Sequence, residues 1–202
     1  MSNETKILPD ETFGEDLSDL LLRRLTTRES RNAVELETIG RAYDKHVFRA
    51  HKKKIENKWL TAEYLRQVHR DMFGGIWDWA GKYRQINLNI GIAWSQIPEQ
   101  VHVLCDDFAF WNTTQSSMPI LEVAARLQNR LTRIHPFKNG NGRHARLITD
   151  IFLHSRNHPL PKWPQIQLIE NGDAVRKNYI VAMKQADLGN YDELITFIEK
   201  CL

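Results

Sequence analysis

The sequence is poor in cysteine and contains no long hydrophobic run. Its two cysteines, Cys105 and Cys201, lie far apart in the chain and form no disulfide framework, metal motif or redox motif. Such a pair is typical of packing residues in a reducing cytosol. No apolar run approaches the roughly eighteen residues of a membrane span, and the first residues lack the apolar core of a signal peptide. We therefore expect a cytoplasmic protein that has no membrane segment.

The chain also has little net charge. The 28 lysines and arginines exceed the 25 acidic residues by only three, which is too little to indicate nucleic-acid binding. The basic cluster at residues 51–54 is more typical of a solvated helix end. The 202 residues are 42% hydrophobic and include six tryptophans, which is enough for a substantial core. We predict an N-terminal extension and helix over residues 1–55, packed on a domain that covers residues 56–202.

Apolar spacing predicts helices along most of the chain. One is expected to begin near Thr26, Thr27 or Ser30 and to run to about Lys52. A second is expected to follow Thr61, and a third to run from about Gln96 to Asn112. The apolar positions expected on the inner face of the first helix are Ala33, Leu36, Ile39, Ala42 and Tyr43.

The most informative stretch is the run from His135 to Arg146, HPFKNGNGRHAR. Residues 120–134 before it and residues 147–152 after it carry apolar residues at helical spacing. The run is therefore predicted to be a short loop that opens the second of two packed helices. Gly140 and Gly142 allow positive φ and a close approach of backbone amides to a ligand.

This predicted loop has the features of an anion site. A helix start offers unpaired N–H donors and a positive dipole end. Arg143 and Arg146 are three residues apart, so both project from one side of the first turn and suit a polyphosphate. His135 is the nearby side chain whose ordinary pKa suits a base near neutral pH. The alternative is a plain turn after a helix-end histidine, but two arginines in a first turn oppose the helix dipole unless an anion compensates.

The run resembles the signature of the Fic (filamentation induced by cAMP) family, His-x-Phe-x-(Asp/Glu)-Gly-Asn-Gly-Arg-x-x-Arg. The matching residues are His135, Pro136, Phe137, Gly140, Asn141, Gly142, Arg143 and Arg146. Residues 73–84 are similar to the segment that leads into the family's flap, and residues 176–179 and 186–191 resemble its closing helices. Residues 89–94 and 97–98 resemble the Fic subgroup known as mobile mystery protein B. The resemblance extends over about three quarters of the chain.

The resemblance implies an all-α Fic fold with a small β-hairpin flap over the active site. The residues also predict a hairpin, because isoleucine and leucine alternate with polar or small residues between Gln85 and Trp94. An exposed hairpin edge can pair with a partner's strand. The resemblance implies target docking by Asn89, Ile90, Gly91 and Ile92. A stabilising hairpin without a partner is the alternative.

The activity implied by the resemblance is that of a nucleotidyltransferase. A protein adenylyltransferase moves AMP from ATP to a Ser, Thr or Tyr hydroxyl of a target protein. The implied catalytic residues are His135, Asn141 and Arg143. The implied nucleotide- and phosphate-binding residues are Lys138, Asn139, Gly140, Asn141, Gly142, Arg143, Arg146 and Tyr179. Two alternatives stay open: transfer of another phosphate-containing group from a nucleotide or diphosphate donor, and a nucleotide-binding interaction module without turnover.

Asn139 departs from the family pattern, which usually has Asp or Glu at this position to bind Mg²⁺. Asparagine keeps a carbonyl oxygen but loses the negative charge, so we expect magnesium binding that is weakened.

The family's inhibitory sequence, (Ser/Thr)-x-x-x-Glu-(Gly/Asn), has no match near the N-terminus or after the core. We therefore expect either that the activity of this chain is unrestrained or that a separate inhibitory or regulatory protein restrains it. Glu35 or Glu37 on the first helix could approach Arg146, although a solvated helix face is the more ordinary interpretation.

Overall fold

A computed structural model describes residues 16–48, 59–113, 117–169 and 174–202. These residues form α-helices joined by loops, and the described ranges contain no strand beyond isolated bridges. The prediction of an all-α fold is therefore confirmed. The helices are α1 (Arg28–Tyr43), α2 (Ala62–Phe73), α3 (Ile97–Trp111), α4 (Ile120–Ile134), α5 (Asn141–Ser155), α6 (Gln165–Ile169), α7 (Ala174–Asp187) and α8 (Asp192–Glu199).

Helices α4 and α5 form the centre of the bundle. The predicted face of α4 is buried, because Val123, Ala124, Leu127 and Leu131 are each at most 2% exposed. Every residue of α5 from 144 to 153 is buried, including charged and polar ones. A helix that is covered on all sides has to lie inside the bundle. The loop of residues 135–140 therefore joins two core helices, which fixes the position of the run identified in the sequence.

Helices α2 and α3 pack against this centre as the sequence predicts. Thr61 caps α2 by accepting a hydrogen bond from the Tyr64 amide at 3.1 Å. Pro98 lies in the first turn of α3, where its missing N–H leaves no helical bond unmade. The buried residues of α2 are Leu65, Val68, His69, Met72 and Phe73, and those of α3 are Ile97, Val101, Leu104 and Phe108.

Helix α1 begins as predicted but turns a different face to the core. Thr27 caps it through the Ser30 amide at 3.1 Å. Leu36, which was expected to face inward, is 72% exposed. The buried residues of α1 are Arg31, Glu35, Thr38 and Ala42. The predicted apolar face is therefore wrong at Ala33 and Leu36 but confirmed at Ala42, which is buried, and at Ile39 and Tyr43, which pack against the core. The buried face also carries polar groups, which are satisfied by specific hydrogen bonds.

The predicted flap hairpin is not formed. Residues 85–93 follow an irregular path, and a short 3₁₀ turn over Trp94–Gln96 leads into α3. The alternation of apolar and polar residues predicts a strand only if the backbone groups find a partner strand. Here the Arg84 guanidinium binds the carbonyls of Ile86 at 2.7 Å and Ile92 at 2.5 Å, and the Asn87 side chain accepts from the Trp94 amide at 3.0 Å. Side chains thus replace the hydrogen-bond ladder of a hairpin.

The last three helices form a separate layer beside α4. Their core contains Trp163, Leu168, Tyr179, Ala182, Met183, Ala186, Leu194 and Ile198, which pack on Ala125 of α4. Asn190, just before α8, accepts a hydrogen bond from the Asp192 amide at 3.1 Å.

The segment before α1 is attached to the core. Leu20 and Leu25 are buried, and the Leu21 amide donates to the Ile76 carbonyl at 2.8 Å. The division at residues 55 and 56 stays a prediction. The basic cluster at residues 51–54 and the continuation of the first helix beyond Phe48 lie outside the described residues. Within the described ranges, no helix is long and apolar enough to cross a membrane.

Candidate active site

His135 ends α4 in a left-handed conformation, with φ 52° and ψ 59°. Its amide still donates to the Leu131 carbonyl at 3.1 Å, so the strained residue is the last one held by the helix. A non-glycine residue adopts this conformation only where its surroundings impose it. The turn directs the chain away from α4 and into the loop that opens α5.

The His135 imidazole is neutral and has one nitrogen without a partner. Nδ1–H donates to the Thr132 carbonyl at 3.3 Å, which leaves the lone pair on Nε2. Nε2 is buried and has no hydrogen-bond partner among the described residues. Burial lowers the pKa of His135 to about 4, and the nearby Arg84 charge acts in the same direction. The imidazole is thus in its base form at neutral pH.

Phe137 and Asn141 hold the loop in a closed shape. Asn141 Oδ1 accepts from the Phe137 amide at 2.9 Å, and its Nδ2 donates to the Phe137 carbonyl at 2.8 Å. The Phe137 ring is fully buried and stacks on the His69 ring, with centroids 3.6 Å apart. The Asn141 side chain is therefore used to shape the loop, which leaves its backbone amide for a ligand.

His69 connects this loop to the segment before the predicted flap. Its Nε2–H donates to the Asn139 carbonyl at 3.0 Å, while its Nδ1 accepts from the Gly81 amide at 2.9 Å. Burial lowers the pKa of His69 well below its ordinary value, so the ring stays neutral and keeps this tautomer. Gly140 has φ 78°, and a Cβ there would lie 2.5 Å from the Phe73 ring. The close packing of the loop explains why glycine occupies this position.

The first turn of α5 has the features of an anion site. No side chain caps it, so its first amides have no helical acceptor. The Asn139 side chain accepts from the Gly140 amide at 2.6 Å, which leaves the amides of Asn141, Gly142 and Arg143 as the available donors.

Arg146 is a buried cation beside this turn. It is 4% exposed, its Nη2 donates to Gln165 Oε1 at 3.0 Å, and its Nε has no partner among the described residues. Burial lowers the pKa of Arg146, and the neighbouring Tyr179 and Asp150 oppose that shift. Burial also raises the pKa of the Asp150 carboxyl to about 7, so this group gives only partial compensation. A buried guanidinium without a full counter-charge favours an anionic ligand.

Arg143 is paired with Glu35 of α1. Its Nη1 donates to Glu35 Oε2, and Trp77 Nε1 donates to the other carboxylate oxygen at 2.6 Å. The Arg143 guanidinium also lies over the Phe73 ring, 4.8 Å from its centroid. An acidic residue of the first helix was expected to approach Arg146, but the arginine that it binds is Arg143. Glu35 pairs with Arg143, and Glu37 pairs with Arg41 at 3.5 Å. Glu35 is also not on a solvated face, since its side chain is 6% exposed.

Two residues predicted to bind phosphate have other partners. Lys138 Nζ binds Asp19 and, at 3.3 Å, Asp16, so it ties the loop to the segment before α1. Tyr179 lies in the layer beside α4, where its hydroxyl accepts from Gln128 Nε2 at 3.0 Å. The Tyr179 hydroxyl also interacts with Arg146 and Thr132.

Gly91, in the loop of residues 86–92, packs against His135. Gly91 has φ 90°, and a Cβ there would lie 2.6 Å from the His135 Cβ. This contact contributes to the burial of His135, which is only 6% exposed. Of the predicted docking residues, Asn89 to Ile92, Gly91 lies against His135, and none of the four lies in a strand; their role in docking stays a prediction.

The side chains around the loop do not fit a magnesium site. Asn139 Oδ1 is engaged by the Gly140 amide, and the carboxylate next to the loop, Glu35, is engaged by Arg143 and Trp77. Among the described residues, no group of three or more His, Cys, Asp or Glu side chains could hold a metal ion. Magnesium prefers free carboxylate or phosphate oxygens, which this arrangement does not offer.

Sequence reasoning missed the contributions of three residues. His69 and Arg84 support the loop, and Glu35 binds Arg143. Arg84 ends the segment that resembles the approach to the family's flap, and His69 lies just before that segment. Nothing in their spacing indicates contacts with residues more than fifty positions away.

Comparison with known proteins identifies a matching family and related chains. The Fic/DOC family pattern matches residues 59–153. The protein adenylyltransferase fic-1 of Caenorhabditis briggsae is 27% identical over 148 residues, or 72% of this chain. The protein adenylyltransferase Fic of Nematostella vectensis is 27% identical over 145 residues, or 70% of this chain. The chain spans 28% and 32% of the lengths of these two relatives.

Solved structures share the fold. Fic-1 of C. elegans superposes with a TM-score of 0.63 at 19% identity, covering 91% of this chain and 51% of that one. The BepC protein of Bartonella tribocorum, solved with bound AMPPNP, superposes with a TM-score of 0.58 at 18% identity, covering 92% of this chain and 96% of that one. These structures show a shared fold, and residues 59–153 match the Fic/DOC family. Its relation to the mobile mystery protein B subgroup stays a prediction.

Proposed function

We propose that this chain is a protein adenylyltransferase that moves AMP from ATP to a hydroxyl of a target protein. The observation that carries the proposal is the unprotonated Nε2 of His135, which has no partner within the described structure. Its neighbours, the first turn of α5 and the buried Arg146, suit the phosphates of a nucleotide. Relatives of known sequence carry the name protein adenylyltransferase, which supports the same activity.

His135 acts as the general base. Its Nε2 takes the proton of the target's Ser, Thr or Tyr hydroxyl as the hydroxyl oxygen attacks the α-phosphorus of ATP. The new O–P bond forms while the bond between the α-phosphorus and the bridging oxygen breaks, and pyrophosphate leaves with the electron pair. A placed base of this kind contributes about 10²–10⁴-fold to the rate. The contact of Nδ1–H with the Thr132 carbonyl keeps the lone pair on Nε2.

The phosphates are held by the first turn of α5 and the two arginines. The amides of Asn141, Gly142 and Arg143 point out of an uncapped helix start, where negative charge is stabilised. Arg146 supplies a guanidinium that is already desolvated. Arg143 Nη1 is bound to Glu35 in this state, so Glu35 competes with the leaving group for this guanidinium.

ATP is the donor that this arrangement suits. The BepC structure, which shares the fold, holds the nucleotide AMPPNP. The residues here do not fit a resident magnesium ion, as described above, so no step of the proposal uses one.

Target docking on residues 89–92 fits the position of that loop over the base. Gly91 packs against the Cβ of His135, and His135 Nε2 is itself buried, so we infer that a target hydroxyl reaches the base when the middle of the loop moves. A docked target segment that displaces Gly91 would therefore bring its own hydroxyl to the base. A separate regulatory protein that stabilises the covered state would restrain the same step.

Radiolabelled transfer tests the proposal. The purified protein is incubated with α-labelled ATP and a cell lysate, next to His135→Ala and the control His102→Ala. His102 is an exposed histidine on α3, with 78% of its side chain accessible. We expect labelled protein bands from the wild type and the control, and at least a hundredfold loss for His135→Ala. Equal labelling by wild type and His135→Ala would show that His135 is not the base.

A second donor class is favoured by one observation, the engagement of Asn139. Its side-chain oxygen binds the Gly140 amide, so the loop lacks the carboxylate that would recruit a metal to a triphosphate. Transfer of another phosphate-containing group from a diphosphate donor depends less on a metal. A panel of donors with intact-mass readout on the modified target separates the two: a shift by AMP only would eliminate this alternative.

A further inference from the structure

Arg84 is a buried cation whose partners are all backbone carbonyls. It is 4% exposed, and it makes no salt bridge with any described carboxylate. Its Nε donates to the His135 carbonyl at 2.7 Å, and its Nη2 lies 3.4 Å from the Ile134 carbonyl. These carbonyls end α4, where the helix dipole places partial negative charge. The end of α4 thus compensates the Arg84 charge.

The remaining donors of Arg84 hold the loop that covers the base. Nη1 donates to the Ile86 carbonyl at 2.7 Å, and Nη2 donates to the Ile92 carbonyl at 2.5 Å. These two carbonyls mark the ends of the loop that contains the predicted docking residues. The Arg84 amide also donates to the Pro136 carbonyl at 2.9 Å. A single residue therefore contacts both sides of the left-handed turn at His135 and both ends of the loop.

Gly91 completes this arrangement. A Cβ at Gly91 would lie 2.9 Å from Arg84 Nη2 and 2.6 Å from the His135 Cβ. The loop therefore packs on the guanidinium and the base together.

We propose that Arg84 is a positioning residue that sets the orientation of His135 and the closure of the loop of residues 86–92. This inference rests on the proposed transfer for its kinetic consequences but not for its structural ones. The planar guanidinium is needed because an ammonium group cannot donate in four fixed directions. Arg84 contacts neither Arg143, Arg146 nor the first turn of α5, so its role is separate from nucleotide binding.

The test replaces Arg84 by lysine in the full chain, with Arg66→Lys as a matched control. Arg66 Nε also donates to a backbone carbonyl of the same segment, that of Gly81 at 3.0 Å, but Arg66 does not touch His135 or the loop. For Arg84→Lys we expect a fall in kcat of about 10²-fold, as for a misplaced catalytic group. We also expect a rise in the KM for the target, and an ATP Kd unchanged within twofold. The control should keep all three values.

A ligand-free readout separates this inference from the proposed function. The imidazole ¹H–¹⁵N correlations of His135 report its tautomer and surroundings, and amide hydrogen exchange reports closure of residues 86–92. We expect Arg84→Lys to shift the His135 signals and to accelerate exchange in the loop, while the signals of His144 stay in place. If these changes occur in the variant and the wild type transfers no AMP, the proposed function fails but Arg84 still positions His135 and the loop.

Unchanged His135 signals and loop exchange in a folded Arg84→Lys protein would overturn the inference, whatever the activity. If that variant does not fold, Arg84→Gln takes its place, because it removes the buried charge and keeps an amide that can reach only some of the carbonyls. The same two readouts then decide in the same way.

Discussion

The pairing of Glu35 with Arg143 makes a quantitative prediction about nucleotide affinity. Glu35→Gln removes the negative charge that binds Arg143 but keeps a side-chain oxygen that can accept from Trp77 Nε1. The packing of α1 on α2 should therefore survive. Arg143, which is then free of its carboxylate, can turn towards a phosphate without first breaking an ion pair.

The magnitude follows from the burial of the pair. The Glu35 side chain is 6% exposed and that of Arg143 is 25% exposed, so solvent screens the pair only in part. A hydrogen bond to a charged group contributes about 1.5–3 kcal/mol. Since about 1.4 kcal/mol corresponds to a factor of ten, the variant should bind ATP about tenfold to a hundredfold more tightly.

The assay is titration calorimetry with ATP on the wild type, Glu35→Gln and Glu37→Gln. Glu37 lies on the same helix and pairs with Arg41 on the surface, so its variant makes the same chemical change away from the loop. We expect tighter binding for Glu35→Gln only. An ATP Kd that is unchanged or weaker would mean that Glu35 orients Arg143 for the phosphate and does not compete with it, which would refute the argument.

Two further predictions concern protons and metal. Burial lowers the pKa of both His135 and His144 to about 4 from 6.5, so the unfolded chain takes up protons below pH 6.5 that the native chain refuses until about pH 4. The free energy of unfolding should thus fall by about 2 kcal/mol for each histidine between pH 7 and pH 5; urea titrations of wild type and His144→Gln check this, and an equal pH dependence in both would contradict it. Asn139→Asp should make ATP binding about tenfold or more dependent on Mg²⁺, because the carboxylate adds a charged ligand; calorimetry with and without the ion measures this, and the same dependence in the wild type would count against it.

The sequence predicts the central helices well because their burial is periodic. The apolar residues of α4 recur at helical steps and all face the core, and Thr61 marks the start of α2. Such patterns depend only on neighbours within a turn or two, and these neighbours can be identified in the sequence alone. His135 and the first turn of α5 were located in the same way, as a glycine-containing loop between two such helices.

Other features depend on contacts between distant residues. Helix α1 buries Arg31, Glu35 and Thr38 because each finds a partner in the fold, and apolar periodicity cannot indicate such a face. The alternation between residues 85 and 94 predicts a strand, but Arg84 satisfies the carbonyls of that segment. Glu35 and Arg143 are separated by 108 positions, so their pairing follows from the packing of α1 and not from any local pattern.

The contacts of α1 have a consequence for where this protein can be divided. The recognisable family segment starts at residue 59, yet Trp77 donates its indole N–H to Glu35, and the Met72 carbonyl accepts from Thr38 at 2.7 Å. A polypeptide trimmed to the family boundary would leave an indole, a carbonyl and a guanidinium without their acceptors or donors. The part of the chain that folds on its own therefore has to include α1, although the family match begins after it. A polypeptide that starts at residue 59 should aggregate under conditions in which the full chain stays monodisperse.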